Sequence, residues 1–133
     1  MTEDKKICKV LMIDDDKFLL DMYALKFSQA GHNVKSCFSV DEALGELKGG
    51  FDPDAVVFDL VMPGKDGFDF LRAVNEGKLA SKARLIALTN QSSPEERKKA
   101  EDLGAHEYII KATLVPSEVV KAVCQVIEGS RGK

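Results

Sequence analysis

Four short apolar runs recur along the chain without interruption: Val10 to Ile13, Ala55 to Phe58, Leu85 to Leu88 and Tyr108 to Ile110. Each has the length of a β-strand and lacks the in-out alternation of a half-exposed one. The pattern therefore predicts strands covered on both faces, as in a parallel sheet. A weaker fifth run, Asn33 to Phe38, is broken by Lys35 and suits a sheet edge. Segments of helical period separate the runs. Phe18, Leu19, Met22 and Leu25 follow the spacing of one buried helical stripe, with Gly31 as its stop, and Val119, Val120, Val123, Val126 and Ile127 form a second. Ser39 with Glu42 and Ser93 with Glu96 have capping-box spacing, the latter with Pro94 at the favoured first helical position. Strand and helix thus alternate five times, which predicts right-handed crossovers and an α/β architecture with helices on both faces of a parallel sheet.

Length adds that this is one domain: 133 residues can build a single core but not two ordinary ones. We expect the domain to span residues 7–128, with 1–6 and 129–133 as flexible tails and no output domain after the last helix. Hydrophobic residues make up 44% and charged residues 31%, the balance of a globular chain. No long apolar stretch or export signal is present, so a cytoplasmic protein without a membrane association is expected. Nineteen basic residues stand against 22 acidic ones, a net charge of −3, which gives no general attraction to nucleic acid. Cys8, Cys37 and Cys124 are far apart in sequence and are expected to be buried, reduced thiols. His32 and His106 have no metal-ligand spacing and are expected at the surface, and the charge run Glu95 to Lys99 reads as a solvated helix face with a Glu95–Lys99 pair.

Candidate chemistry enters at the ends of the runs. In an open parallel sheet, ligands bind beyond the carboxyl ends of the strands. Those ends carry Asp14 and Asp15, then Asp59, then Thr89, then Lys111. Asp16 falls at a helix start, where its charge suits the dipole. Carboxylates gathered in one crevice repel each other unless a cation neutralises them, and Mg²⁺ takes one or two carboxylates together with phosphate oxygens. A phosphate chemistry follows, with Lys111 as a point charge, Thr89 as a hydrogen-bond donor and Asp59 as the nucleophile.

The stretches VLMIDDD, AVVFDLVMPGKDGFDFLR, LIALTN and GAHEYIIK resemble the receiver domain of two-component response regulators. The likeness runs from about Lys9 to Ile127. Separations of 44 residues from Asp15 to Asp59, 30 to Thr89 and 22 to Lys111 are similar to those of such domains. The resemblance implies a flavodoxin-like sheet of order 2-1-3-4-5. It implies phosphoryl transfer from a phosphohistidine of a sensor kinase or histidine phosphotransfer protein onto Asp59, with no turnover beyond the chain's own phosphorylation and dephosphorylation. Asp14, Asp15, Asp59 and the carbonyl of Val61 would hold Mg²⁺, Thr89 and Tyr108 would switch, and the surface of the fourth helix, fifth strand and fifth helix would meet a downstream protein. Pro63, Gly64 and Gly67 shape the loop after the acceptor. Three positions depart from the family pattern: Ala112 where proline is usual, raising the question of a cis bond after Lys111; Asn90 where a small residue is usual, which would crowd the phosphoryl group; and Val61, which offers no polar group to an attacking water, so slow hydrolysis is expected. A phosphorylation-independent interaction module and an aspartate-nucleophile phosphohydrolase are the alternatives, the latter disfavoured by Asp59-Leu60-Val61 in place of DxD.

Overall fold

The computed structural model describes residues 7–90 and 93–131. The expected tail 1–6 and residues 132–133 lie outside them. Five strands, β1 (Lys9–Ile13), β2 (Asn33–Cys37), β3 (Ala55–Phe58), β4 (Arg84–Thr89) and β5 (Glu107–Ile110), alternate with α1 (Lys17–Gln29), α2 (Val40–Lys48), α3 (Gly67–Gly77), α4 (Pro94–Asp102) and α5 (Pro116–Arg131). All strand pairings are parallel and the sheet order is β2-β1-β3-β4-β5, as expected.

The unbroken runs are explained by the pleat, because alternate residues of each inner strand enter different cores. Leu11, Ile13, Val56, Phe58, Leu85 and Ala87 join α2, α3 and α4 through Val40, Ala43, Leu47, Phe70, Leu71, Val74 and Ala100. Val10, Met12, Ala55, Val57, Ile86 and Leu88 join α1 and α5 through Leu20, Tyr23, Phe27, Val119, Val120, Val123 and Ile127. Strands β2 and β5 are the edges: β2 is buried fully only at Cys37, and β5, whose apolar run suggested cover on both faces, has no fully buried residue because only β4 pairs with it. α4 is held most weakly: Ala100 is its one buried residue, against the apolar rows of α3 and α5. With about 1.5–3 kcal/mol for each fully buried aliphatic side chain, α4 gains far less from packing than its neighbours.

Several expectations are corrected. On α1 the buried residues are Leu20, Tyr23 and Phe27. Phe18, Met22 and Leu25, expected inside, are instead 76%, 37% and 55% exposed, and only Leu19 is partly buried. α5 continues to Arg131, so Gly129–Arg131 are helical. Ser39 does accept from the Glu42 N–H at 3.1 Å, but the Glu42 carboxylate reaches back to the Phe38 N–H at 2.7 Å, one residue beyond the cap. Ser93 accepts from the Glu96 N–H, while its own hydroxyl donates to Glu95. The reciprocal box forms instead at the start of α3, between Asp66 and Asp69. On α4 the i,i+4 pairs are Arg97–Glu101 and Lys98–Asp102, and Lys99 sits over the Phe68 ring. His106 is exposed as expected, whereas His32 is half-buried. The bond between Lys111 and Ala112 is trans and opens a 3-10 turn over Lys111–Thr113.

Candidate functional site

Parallel register carries the strand ends to one edge of the molecule. Ile13 of β1 pairs with Phe58 of β3, so the residues that follow, Asp14 and Asp59, emerge side by side. Phe58 in turn pairs with Ala87 of β4, and Thr89 with Ile110 of β5, which places Thr89 and Lys111 at the same edge. Backbone bonds fix the two acids: the Asp14 N–H donates to the Cys37 carbonyl and the Asp59 N–H to the Ile13 carbonyl, both at 3.1 Å. Asp14 Oδ1 accepts the Asp16 N–H at 3.0 Å, and Asp59 Oδ1 accepts the Val61 N–H at 3.2 Å. Each carboxylate thus has one oxygen tied to its own loop and the other turned to the crevice. Asp16 behaves as the sequence indicates, capping α1 through the Leu19 N–H.

Gly67 sets the floor. A Cβ there would come within 2.5 Å of the Asp59 carbonyl oxygen and 2.9 Å of Leu60 Cα. Only a glycine lets the first turn of α3 sit this close behind Asp59. The reciprocal cap of Asp66 and Asp69 secures the same turn.

Within the crevice Lys111 Nζ lies 2.7 Å from Asp14 Oδ2 and 3.0 Å from Asp59 Oδ2. Both acids are buried, at 3% and 8% exposure, while Asp15 is exposed. Burial pushes the Asp59 carboxyl above the usual carboxylate range; Lys111 and the Val61 N–H pull it back only in part, and Asp14 pushes it further up. Burial also works against the Lys111 charge, yet its bonds to Asp14 and Asp59 and their charges outweigh it and raise the lysine. The buried Tyr23 hydroxyl is raised by desolvation beneath the same charges. One ammonium therefore serves two buried carboxylates, with the exposed Asp15 beside them, leaving an excess of negative charge at the crevice.

Carboxylate oxygens of Asp14, Asp15 and Asp59 lie within 4.8 Å of one another. The donors are hard, anionic and open to solvent on the Asp15 side, which fits a hard divalent cation such as Mg²⁺. Thr89 is fully buried at the end of β4. Tyr108 is half-buried, with the Arg97 guanidinium 5.5 Å over its ring. Asn90 and Val61 are exposed, Val61 at the rim of the crevice directly after Leu60. The sequence reading missed Gly67's close approach to Asp59, which no local pattern encodes. It also missed Tyr23 beneath the acids, although the spacing to Leu20 and Phe27 was available.

The response regulator receiver domain family matches residues 10–123. The chain belongs to that family. Solved receiver structures agree with the assignment. The chemotaxis protein CheY4 of Vibrio cholerae is 26% identical over 91% of this chain and 99% of its own, with a TM-score of 0.83. The receiver domain of Francisella response regulator 1452 is 27% identical over 95% and 99%, with a TM-score of 0.80. The BeF3-activated receiver domain of DrrB, a Thermotoga maritima protein, is 25% identical over 92% and 99%, with a TM-score of 0.77. This receiver domain is therefore a signalling module of two-component systems, consistent with phosphoryl acceptance, rather than a conventional enzyme. No helix among the described residues is long and apolar enough to cross a membrane.

Proposed function

We propose that the chain is a phospho-receiver in which Asp59 takes a phosphoryl group from a phosphohistidine and the change of charge alters protein contacts. The observation that carries this reading is the bridge of Lys111 Nζ between Asp14 and Asp59 in a buried crevice. The Asp59 oxygen that Lys111 contacts attacks phosphorus in line, the P–N bond breaks, and the imidazole leaves with its electron pair. Asp14, Asp15, Asp59 and the Val61 carbonyl would hold Mg²⁺, which when bound neutralises charge on the phosphoryl oxygens. Lys111 follows the new dianion, losing its contact to the Asp59 carboxylate and gaining one to the phosphoryl oxygens. The Thr89 hydroxyl donates to the same group.

The readout follows from packing. α4 buries one side chain, so a modest force relocates it, and Arg97 on α4 covers the Tyr108 ring. Drawing Thr89 toward the phosphoryl group opens space for Tyr108 to turn in, which uncouples it from Arg97 and remodels the α4-β5-α5 surface for a downstream partner. A shift from 1:99 to 99:1 takes about 5.5 kcal/mol, so the Lys111, Thr89 and Tyr108 contacts act together. The donor meets another face. Phe18, Met22 and Leu25 form an exposed apolar ridge on α1, beginning next to the crevice, that suits a helix of the histidine-bearing protein.

Phosphotransfer tests the reading. A histidine phosphotransfer protein carrying labelled phosphohistidine passes its label to the wild-type chain and not to Asp59→Asn. Phe18→Ser slows this transfer while leaving labelling by acetyl phosphate unchanged. Label retained on Asp59→Asn overturns the proposal. Steady release of phosphate from small phosphoesters would favour a phosphohydrolase.

A further inference from the structure

A second cluster of reactive side chains lies at the opposite edge of the sheet, independent of the acceptor site. Cys8 directly precedes β1, His32 directly precedes β2, and Cys124 projects from α5. One ligand atom of each lies within 4.8 Å of those of the other two. The Cys8 backbone N–H donates to His32 Nδ1 at 3.0 Å, and Cys124 Sγ lies 3.4 Å from His32 Nε2. A neutral imidazole carries one proton, and the ring nitrogen that accepts cannot be the one that bears it. The backbone therefore sets the tautomer: the proton sits on Nε2 and points at the Cys124 sulfur. The Phe27 ring meets the imidazole edge-on, with centroids 6.4 Å apart.

That tautomer decides between two chemistries open to a Cys, Cys, His cluster. A metal ion needs the Nε2 lone pair, which would move the proton to Nδ1 and set it against the Cys8 N–H. A thiolate needs a donor, and Nε2–H is one. We propose that Cys124 and Cys8 form a peroxide-oxidisable thiol pair that closes a disulfide between α5 and the start of β1. Cys124 is half-buried and Cys8 is buried, so Cys124 meets the oxidant first. Its thiolate attacks one oxygen of hydrogen peroxide; an S–O bond forms, the O–O bond breaks, and the departing hydroxide takes up the thiol's proton as water. Cys8 then attacks the sulfenic sulfur. The S–S bond forms, the S–O bond breaks, and the second hydroxide leaves as water with the Cys8 proton. Two thiols and one peroxide become one disulfide and two waters, with two electrons passing to the peroxide. Cys37 stands outside this chemistry: it is buried, and desolvation together with Glu42 and Glu46 pushes its thiol up to about 11. The bond would tether α5, one element of the α4-β5-α5 surface.

The test uses the reduced full-length chain, treated with hydrogen peroxide, quenched by alkylation and digested for mass spectrometry. The proposal expects a Cys8–Cys124 cross-linked peptide, an intact mass lower by two hydrogens, an alkylated Cys37, a raised urea midpoint, and reversal of all of these by dithiothreitol. In Cys8→Ala the reaction stops at a Cys124 sulfenic acid that dimedone traps. In His32→Phe, which keeps the ring's bulk and removes the donor beside Cys124, cross-linking slows about tenfold. Circular dichroism separates such effects from misfolding, and the wild-type result needs no variant. Full alkylation of Cys8 and Cys124 after peroxide overturns the proposal. So does stoichiometric zinc binding that protects both thiols and vanishes in Cys124→Ala, since the cluster would then be a metal site.

Discussion

The two edges of the central sheet handle their polar groups in opposite ways. At the edge where the strands begin, side chains accept from backbone donors of the strand ends: His32 from the Cys8 N–H, Asp54 from the Lys9 N–H and His106 from the Leu85 N–H. At the edge where the strands end, Asp14 and Asp59 are buried around one ammonium, with Asp15 beside them. The first arrangement lowers the cost of burying strand ends. The second leaves charge concentrated where burial makes it expensive, which a sequence tolerates where chemistry needs it. One edge satisfies its backbone donors, and the other concentrates buried charge that the proposed phosphoryl chemistry would use.

Substitutions at the two edges should separate these roles. The largest effect is expected for Lys111→Met. It removes the cation that would meet the phosphoryl oxygens and should slow labelling of Asp59 by about a hundredfold, the loss typical of one such electrostatic partner, as measured by time-resolved intact mass. Next comes Val61→Asn, which places an amide at the rim where an apolar side chain is 53% exposed. It should shorten the lifetime of the phosphorylated form about tenfold, or 1.4 kcal/mol of barrier, followed by phosphate release; an unchanged lifetime would show that Val61 does not govern hydrolysis. The smallest effect belongs to the other edge. His106→Phe removes the acceptor of the Leu85 N–H and should cost about 1 kcal/mol in urea unfolding without changing the labelling rate. The same residue predicts a pH dependence. Although the residue is exposed overall, partial desolvation of its ring and then the Arg84 charge hold its pKa below the usual value. On acidification the unfolded chain takes up the proton first, so stability is full above about pH 6.5 and declines as the pH falls through that value toward the folded pKa. In His106→Phe this part of the slope should disappear.

How far the sequence is readable differs between elements for physical reasons. β1, β3 and β4 are covered on both faces, so their apolar runs are continuous and stand out, and the residues that follow them share an edge once the strands are parallel. That logic correctly brings Asp14, Asp59 and Lys111 together without reference to side-chain packing. α1 defeats periodicity because it carries two apolar stripes, Leu20, Tyr23 and Phe27 toward the core and Phe18, Met22 and Leu25 toward solvent. Both obey helical spacing, and only the sheet decides which is inside. The Cys8, His32 and Cys124 cluster has no local motif either. Even so, half of it follows from register: Lys9 pairs with Asn33, so the residues before them, Cys8 and His32, must be neighbours. Cys124 joins only through the docking of α5. Gly67 is legible only once α3 is seen against Asp59, since its role is a distance between two backbones.

In the proposed function Asp59 is a phosphoryl acceptor served by Lys111 and a divalent ion in the crevice between the strand ends. The most direct test is intact and peptide mass spectrometry after acetyl phosphate treatment, with Mg²⁺ and with the ion removed by a chelator. One added phosphoryl group is expected, located on the Asp59 peptide, present with Mg²⁺ and lost with the chelator. A phosphoryl group on another residue, or none with Mg²⁺ present, would contradict it.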